Sequence, residues 1–188
     1  DIADDVTYMD YIRDLYLSEK IDCDLVFSVG ASEGALDRAS PKGVYASVNY
    51  RYESEYALSL LKEKFPDQPG MVMELWNGRA MHWGEEFLRR NVDEVAESVD
   101  KALEHGELLN LYMFHGGTNF SFWNGANHMN DMYQPTITSY DYCAPLSEAG
   151  DMTVTFDAVR ETIAKRTGKE PSKMNVKNTE KAAYGRVE

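Results

Sequence analysis

Apolar and polar positions along the chain switch repeatedly between a helical and an extended period. Residues 5–19 set Val6, Met9, Ile12, Leu15 and Tyr16 near one helical face behind the candidate caps Asp4 and Asp5, which predicts an amphipathic helix. Residues 23–29, Cys-Asp-Leu-Val-Phe-Ser-Val, then read as a strand, and residues 43–49 form a second β-branched and aromatic run. Residues 53–65 space Tyr56, Leu60 and Leu61 as a helix, and Pro69-Gly70 punctuates before a third strand at 71–75. That run is continuously apolar except for Glu74, the pattern of a parallel strand covered on both faces. Asn91 with Glu94 three residues on resembles a capping box, ahead of a stripe of Val92, Val95, Val99 and Leu103 that ends near Gly106. Residues 108–114 are a fourth strand candidate, and a last helix carries Phe156, Val159 and Ile163.

Strands and helices in alternation predict right-handed βαβ units on a parallel sheet, either open and doubly wound or part of a (β/α)8 barrel. No G-x-G-x-x-G or P-loop lysine motif points to a nucleotide. Two segments break the rhythm. Residues 116–153 exceed an ordinary connection of about 4 to 6 residues and read as a long functional loop. Residues 167–188, with five basic and three acidic side chains, read as a linker toward another domain.

Charge changes the picture by exclusion. With 188 residues, 43% of them apolar, and a net charge of -13, a core is affordable, while nucleic acid and anionic membrane partners are repelled. No apolar run reaches the roughly 18 residues of a spanning helix. Cys23 and Cys143 are too few for a disulfide scaffold or a cysteine zinc site. The histidines at 82, 105, 115 and 128 lack the paired spacing of a metal-binding helix. The expectation is a site without metal or organic cofactor, in a compartment the sequence leaves open.

In a parallel α/β architecture ligands bind beyond the carboxyl ends of the strands. Two such ends stand out, Glu74-Leu75-Trp76-Asn77-Gly78 onward and His115-Gly116-Gly117-Thr118-Asn119-Phe120 onward. All three tryptophans and 11 of the 22 aromatic residues lie between Trp76 and Tyr142. Flat apolar faces beside amides and carboxylates suit a sugar ring. Glu74 sits where apolar strand becomes loop, where an uncompensated carboxylate is costly, so it is either a paired structural group or a reactive one.

Three ordered blocks go further. Met71-Val72-Met73-Glu74-Leu75-Trp76-Asn77-Gly78 with His82-Trp83-Gly84-Glu85, then Asn110-Leu111-Tyr112-Met113-Phe114-His115-Gly116-Gly117-Thr118-Asn119-Phe120, then Thr138-Ser139-Tyr140-Asp141-Tyr142 with Ala144-Pro145-Leu146-Ser147-Glu148-Ala149-Gly150-Asp151, resemble glycoside hydrolase family 35 over about residues 1–166. The resemblance implies a (β/α)8 barrel, here only its strands 5 to 8 with their helices. It also implies a retaining enzyme that removes terminal β-linked galactose, with a β-galactoside or galactose-terminated oligosaccharide as substrate. By the same resemblance Glu74 matches the nucleophile ending the seventh strand, Tyr112 lines the sugar pocket, and Tyr142 bonds the galactose with Tyr140 beside it.

Retaining chemistry needs a second carboxyl about 5 to 5.5 Å from the nucleophile. The family's acid/base glutamate stands in an Asn-Glu-Tyr-Gly-like motif after the fourth strand, which is expected just before Asp1. Lys181-Ala182-Ala183-Tyr184-Gly185 resembles the lead-in to the β-sandwich domains that follow many bacterial barrels. The sequence departs from the family at three places. Arg79-Ala80-Met81 replaces a Trp-Phe-Asp-like run whose indole walls the sugar, so Arg79 either enters the pocket or turns outward and leaves the wall to Trp76. Cys143 stands for an Asp and Ser121 for a Gly. The competing expectations are a non-catalytic sugar-binding or decayed relative, and a hydrolase of another β-linked sugar.

Overall fold

The computed structural model describes residues 5–38, 41–52, 54–171 and 174–185. Four strands, β1 (Val26–Gly30), β2 (Tyr45–Tyr50), β3 (Met71–Trp76) and β4 (Leu108–Tyr112), pair in parallel in the order β1-β2-β3-β4. The expected α/β class with a parallel sheet is therefore present, and the strand order has no reversal. Helices α1 (Val6–Ser18), α2 (Glu33–Arg38), α3 (Ser54–Lys64), α4 (Val92–Glu104) and α5 (Val154–Thr167) fill the connections. From α2 onward each packs against the next in sequence, a row along one face of the sheet.

Burial selects which side of each element meets that row. In β2, Ala46, Val48 and Tyr50 join the core, while Ser47 and Asn49 alternate to the other face. From α3 the core takes Ala57 and Leu58 with the expected Leu60 and Leu61, and from α4 Val95 and Val99, the spacing of one helical stripe. Tyr56 was expected on the α3 stripe but lies outside it, exposed, because Ala57 and Leu58 occupy the angle facing the sheet. On α5 Val159 is buried, yet Ile163 stays exposed beside an apolar groove of about 470 Å³ that Phe114 and Phe156 also line. Helix α1 buries no residue fully; its Met9 packs against the core, and a second cleft of about 420 Å³ is lined by Met9, Ile12 and Tyr16 together with β1.

Several boundaries differ locally. Asp5 caps α1 by accepting from the Tyr8 amide at 3.1 Å, whereas the other expected cap, Asp4, lies outside the described residues, as does Glu53 at the expected start of α3. Residues 23–25 precede β1 rather than belonging to it, and β4 stops at Tyr112. Asn91 caps α4 through the Asp93 amide at 3.0 Å. The capping-box partner Glu94 instead lies 3.8 Å from Arg90, so the reciprocal box is replaced by an ion pair. The long segment 116–153 is not structureless, since Ala126–Met129 (β5) and Met132–Pro135 (β6) form an antiparallel hairpin. Its turn residues Asn130 and Asp131 both have positive φ (51° and 60°), the backbone a two-residue hairpin turn demands.

The described part of 167–188 beyond α5 has no regular structure. It is nevertheless tied down. Asn178 exchanges two bonds with the Met152 backbone (2.8 and 2.9 Å), the Thr179 amide donates to Asp151 at 2.8 Å, and Lys181 pairs with the same carboxylate. No helix among the described residues is long and apolar enough to cross a membrane.

Strands β1 and β4 end the sheet, each with one edge unpaired among the described residues. With those edges and the two apolar clefts open, the 188-residue chain expressed alone is expected to aggregate or self-associate, as measured by light scattering after gel filtration. A monodisperse monomer with one cooperative melt would show that the edges are closed in some other way.

Candidate active site

Glu74 owes its direction to one surplus residue. Val48 pairs with Val72 and Asn49 with Glu74, so β3 spends two residues where β2 spends one. Against β4, likewise, Val72 pairs with Leu109 and Leu75 with Leu111. Met73 is the bulge. Val72 and Leu75, three apart, both sit in the core, and the Asn110 side chain takes up the Met73 carbonyl at 2.8 Å. In an unbroken strand Glu74 would share the face of Val72. Displaced by the bulge, it shares a face with Trp76, whose indole Nε1 donates to Glu74 Oε2 at 2.8 Å. Asn49, its register neighbour on β2, is 3% exposed and accepts from Ser28 Oγ at 2.8 Å.

The three tyrosines arrive from the next strand and the loop beyond the hairpin. Tyr112 ends β4 in register with Trp76. Its hydroxyl is 3.3 Å from that of Tyr140, and its ring meets Tyr142 edge-on at 5.5 Å. Tyr140 and Tyr142 lie tilted at 5.2 Å. Burial pushes the Tyr140 phenol well above its ordinary value, helped by its bond to Tyr112 and by the charges of Tyr112, Tyr142 and Glu74. Burial does the same for Tyr142, with the charges of Tyr112 and Glu74 adding and Arg51 opposing. Both therefore stay protonated hydroxyls, and all five expected site residues converge at the ends of β3 and β4.

Backbone contact fixes that loop. A Cβ on Gly78 would lie 1.9 Å from the Tyr142 carbonyl oxygen, and one on Gly116 would lie 1.7 Å from that of Tyr140. Asn77, fully buried, donates Nδ2 to the carbonyls of Tyr142 (3.3 Å) and Cys143 (3.0 Å). Tyr142 and Cys143 both adopt left-handed backbone (φ 60° and 52°), and the Cys143 thiol donates to the Leu88 carbonyl at 3.4 Å. Asn77 and Asn110 stand inside the family-like motifs with no role evident from sequence, and Asn49 lies in the β2 run without any. The available signal was an amide flanked by positions that the core requires.

Arg79 turns to Glu85, with Nη1 2.8 Å from Oε2. Glu85 also accepts from the His82 amide at 2.9 Å and lies 3.2 Å from His82 Nδ1, whose ring presents Nε2 to Asn127 of the hairpin at 2.8 Å. The Arg79 guanidinium, then the His82 amide and ring, hold the Glu85 carboxyl down at about 2. The bond to Asn127, and next Glu85, raise the His82 imidazole. No group of three or more metal-ligating side chains occurs among the described residues.

With this geometry the relatives are informative. The model of the family described as "Glycosyl hydrolases family 35" matches residues 2–166. The chain belongs to glycoside hydrolase family 35. A protein named Beta-galactosidase from Felis catus is 42% identical over 160 residues, covering 84% of this chain and 23% of that protein. A Beta-galactosidase from Xanthomonas manihotis is 41% identical over 175 residues, 90% of this chain and 29% of its own. Human Beta-galactosidase-1-like protein 2 is 36% identical over 166 residues, covering 87% and 26%. This family 35 chain thus spans about a quarter of the length of the curated relatives it matches.

Gly78→Ala and Gly116→Ala are expected to destabilise the fold by about 1–3 kcal/mol, because the new methyl meets backbone that cannot swing away. Gly30, with nothing within 4 Å of its Cβ position, is the control. Denaturant melts that rank Gly30→Ala with the other two would remove the docking argument.

The His82 link carries a pH signature. The depressed Glu85 contributes stability fully above its ordinary value of 4.5 and loses it as pH falls toward about 2. The raised His82 contributes fully below 6.5 and loses it as pH climbs through its folded value. Loop and hairpin are therefore tied most firmly between about pH 4.5 and 6.5. Asn127→Ala is expected to lower the His82 titration midpoint in proton NMR, and an unmoved midpoint would exclude Asn127 as its cause.

Proposed function

We propose that this chain is the carboxyl-terminal half of a (β/α)8 barrel, strands 5 to 8, in a retaining glycoside hydrolase that removes terminal β-linked galactose. Glu74 is the nucleophile and the acid/base glutamate comes from sequence outside this chain. Residues 1–166 form the half barrel and 167–188 lead toward a following β-sandwich domain. The observation that carries the reading is Glu74 at the carboxyl end of β3, one oxygen held by the Trp76 indole, with Tyr140 and Tyr142 near enough for its charge to act on their phenols and Tyr112 in contact with both. An unreversed strand order with consecutive helices on one face supports the barrel, since an open doubly wound sheet changes direction at a switch point. The two relatives named Beta-galactosidase support the sugar.

The chemistry follows from what the groups can do. Trp76 fixes the rotation of the carboxylate by holding Oε2, which presents Oε1 to an anomeric carbon. Attack forms the glycosyl ester as the absent acid protonates the leaving oxygen. Water, deprotonated by the same group, then releases the sugar with its configuration retained. The protonated tyrosines donate to sugar hydroxyls or to the ester carbonyl as charge develops. No step calls on a metal or an organic cofactor.

Trapping the full-length protein with a 2-deoxy-2-fluoro galactoside and mapping the labelled peptide is expected to find the sugar on Glu74. Glu74→Gln should lower kcat by at least ~10³-fold. A label on Glu85 or Asp141 would overturn the assignment.

A further inference from the structure

A buried guanidinium, that of Arg90, and a half-buried one, that of Arg51, sit against the turn that carries the site. The Arg90 side chain is 3% exposed. Its Nη1 donates to the Trp76 carbonyl at 2.6 Å, and Nη2 donates to the Arg51 carbonyl at 3.1 Å and to Ser98 Oγ at 3.3 Å. Arg51, the first residue after β2, donates its own Nη2 to the Gly78 carbonyl at 2.6 Å. The two carbonyls flanking Asn77 are thus drawn outward by cations from two different elements, while the Asn77 amide reaches inward to Tyr142 and Cys143.

A buried charge is an expensive way to fill space, and an apolar side chain of equal volume would pack more cheaply. What it could not do is occupy carbonyls on two separate segments. The planar fork of Arg90 does, and a lysine ammonium, with one nitrogen, spans them poorly. Burial disfavours the Arg90 charge, and its surroundings offset that cost in part. The Tyr52 ring lies 4.7 Å from Arg90 Cζ and 5.7 Å from Arg51 Cζ, and Glu94 is 3.8 Å from Arg90 Nε.

The geometry points to Arg90, seconded by Arg51, as a positioning residue that sets the Trp76 backbone and through it the indole bond to the Glu74 carboxylate. The inference deepens the proposed function and rests on it for its kinetic consequence. Arg90 touches neither Glu74 nor the tyrosine hydroxyls. It acts through the turn, so losing it should impair the transition state more than ground-state binding.

The test uses the full-length protein labelled with 5-fluorotryptophan, the Trp76 resonance being assigned with Trp76→Phe. Arg90→Ala is expected to move that resonance in the direction Glu74→Ala does, since one displaces the indole and the other removes its acceptor. On an aryl β-galactoside kcat should fall at least about tenfold while KM changes less than about threefold. Added guanidinium, entering the vacated space, should restore part of kcat, and Arg90→Lys should fall between. If Arg90→Ala does not fold, Arg90→Lys and Arg51→Lys carry the same measurements. An unmoved Trp76 resonance, or a kcat loss matching the unfolded fraction without guanidinium rescue, would reduce Arg90 to packing. If the unmodified protein turns over no glycoside, the proposed function fails, while the fluorine signal still decides what Arg90 does.

Discussion

The extra residue in β3 is the constraint on which the site depends. Strict alternation through Val72 would aim Glu74 at the helices, among Val48, Val95 and Val99, where an unpaired carboxylate would cost several kcal/mol or give up its charge. Inserting Met73 lets Val72 and Leu75 both stay in the core and turns the intervening carboxylate to the opposite face. A bulge also leaves a carbonyl outside the ladder, and Asn110 of the adjacent strand accounts for it. Once the phase has shifted, Trp76 falls two residues beyond Glu74 on the same face, and its indole can close the pair.

The second half of the site is held by contact too close for any side chain to intervene. Left-handed backbone at a non-glycine residue costs on the order of 1–3 kcal/mol, and Tyr142 and Cys143 adopt it in succession. Such a segment persists only where its surroundings overdetermine it. Here they do, with Gly78 and Gly116 admitting the carbonyls of Tyr142 and Tyr140 and the buried Asn77 amide satisfying two acceptors. The strain places the Tyr142 ring against Tyr112 and Tyr140 instead of on the surface. A loop that would otherwise be free to wander becomes as fixed as the strand ends it touches.

Much of this was legible because long apolar runs with a clear period decide their own structure. The four strands and the helices around Leu61, Val95 and Val159 were legible in this way, as was the family through three ordered motifs. What the sequence hid depends on relations between elements. The bulge appears only when the pairing of β3 with two neighbours is known, although two core residues three apart in a short strand hint at it. The β5–β6 hairpin has exposed strands with no alternating apolar signal, and its one clue is Asn130-Asp131, a pair suited to positive φ. The face of α3 was misjudged at Tyr56 because a large aromatic outweighs Ala57 by size but not by angle. Nothing in the sequence pattern singles out Arg90. Only its carbonyl partners, contributed by residues 14 and 39 positions away, identify it as interior.

The distribution of charge completes the argument. The loops around the site are rich in arginine, yet their cations are engaged away from the Glu74 carboxylate. Arg79 is taken by Glu85, Arg89 lies 3.8 Å from Asp141, and Arg51 and Arg90 are spent on backbone carbonyls. What touches Glu74 is a neutral N–H, and what faces it are phenols kept protonated by burial. A cation there would set a full opposite charge against the carboxylate. The indole N–H fixes the direction of the carboxylate without adding that charge. Arg79 does not disturb that balance, because Glu85 captures its charge six residues away, and Trp76 is the indole beside Glu74.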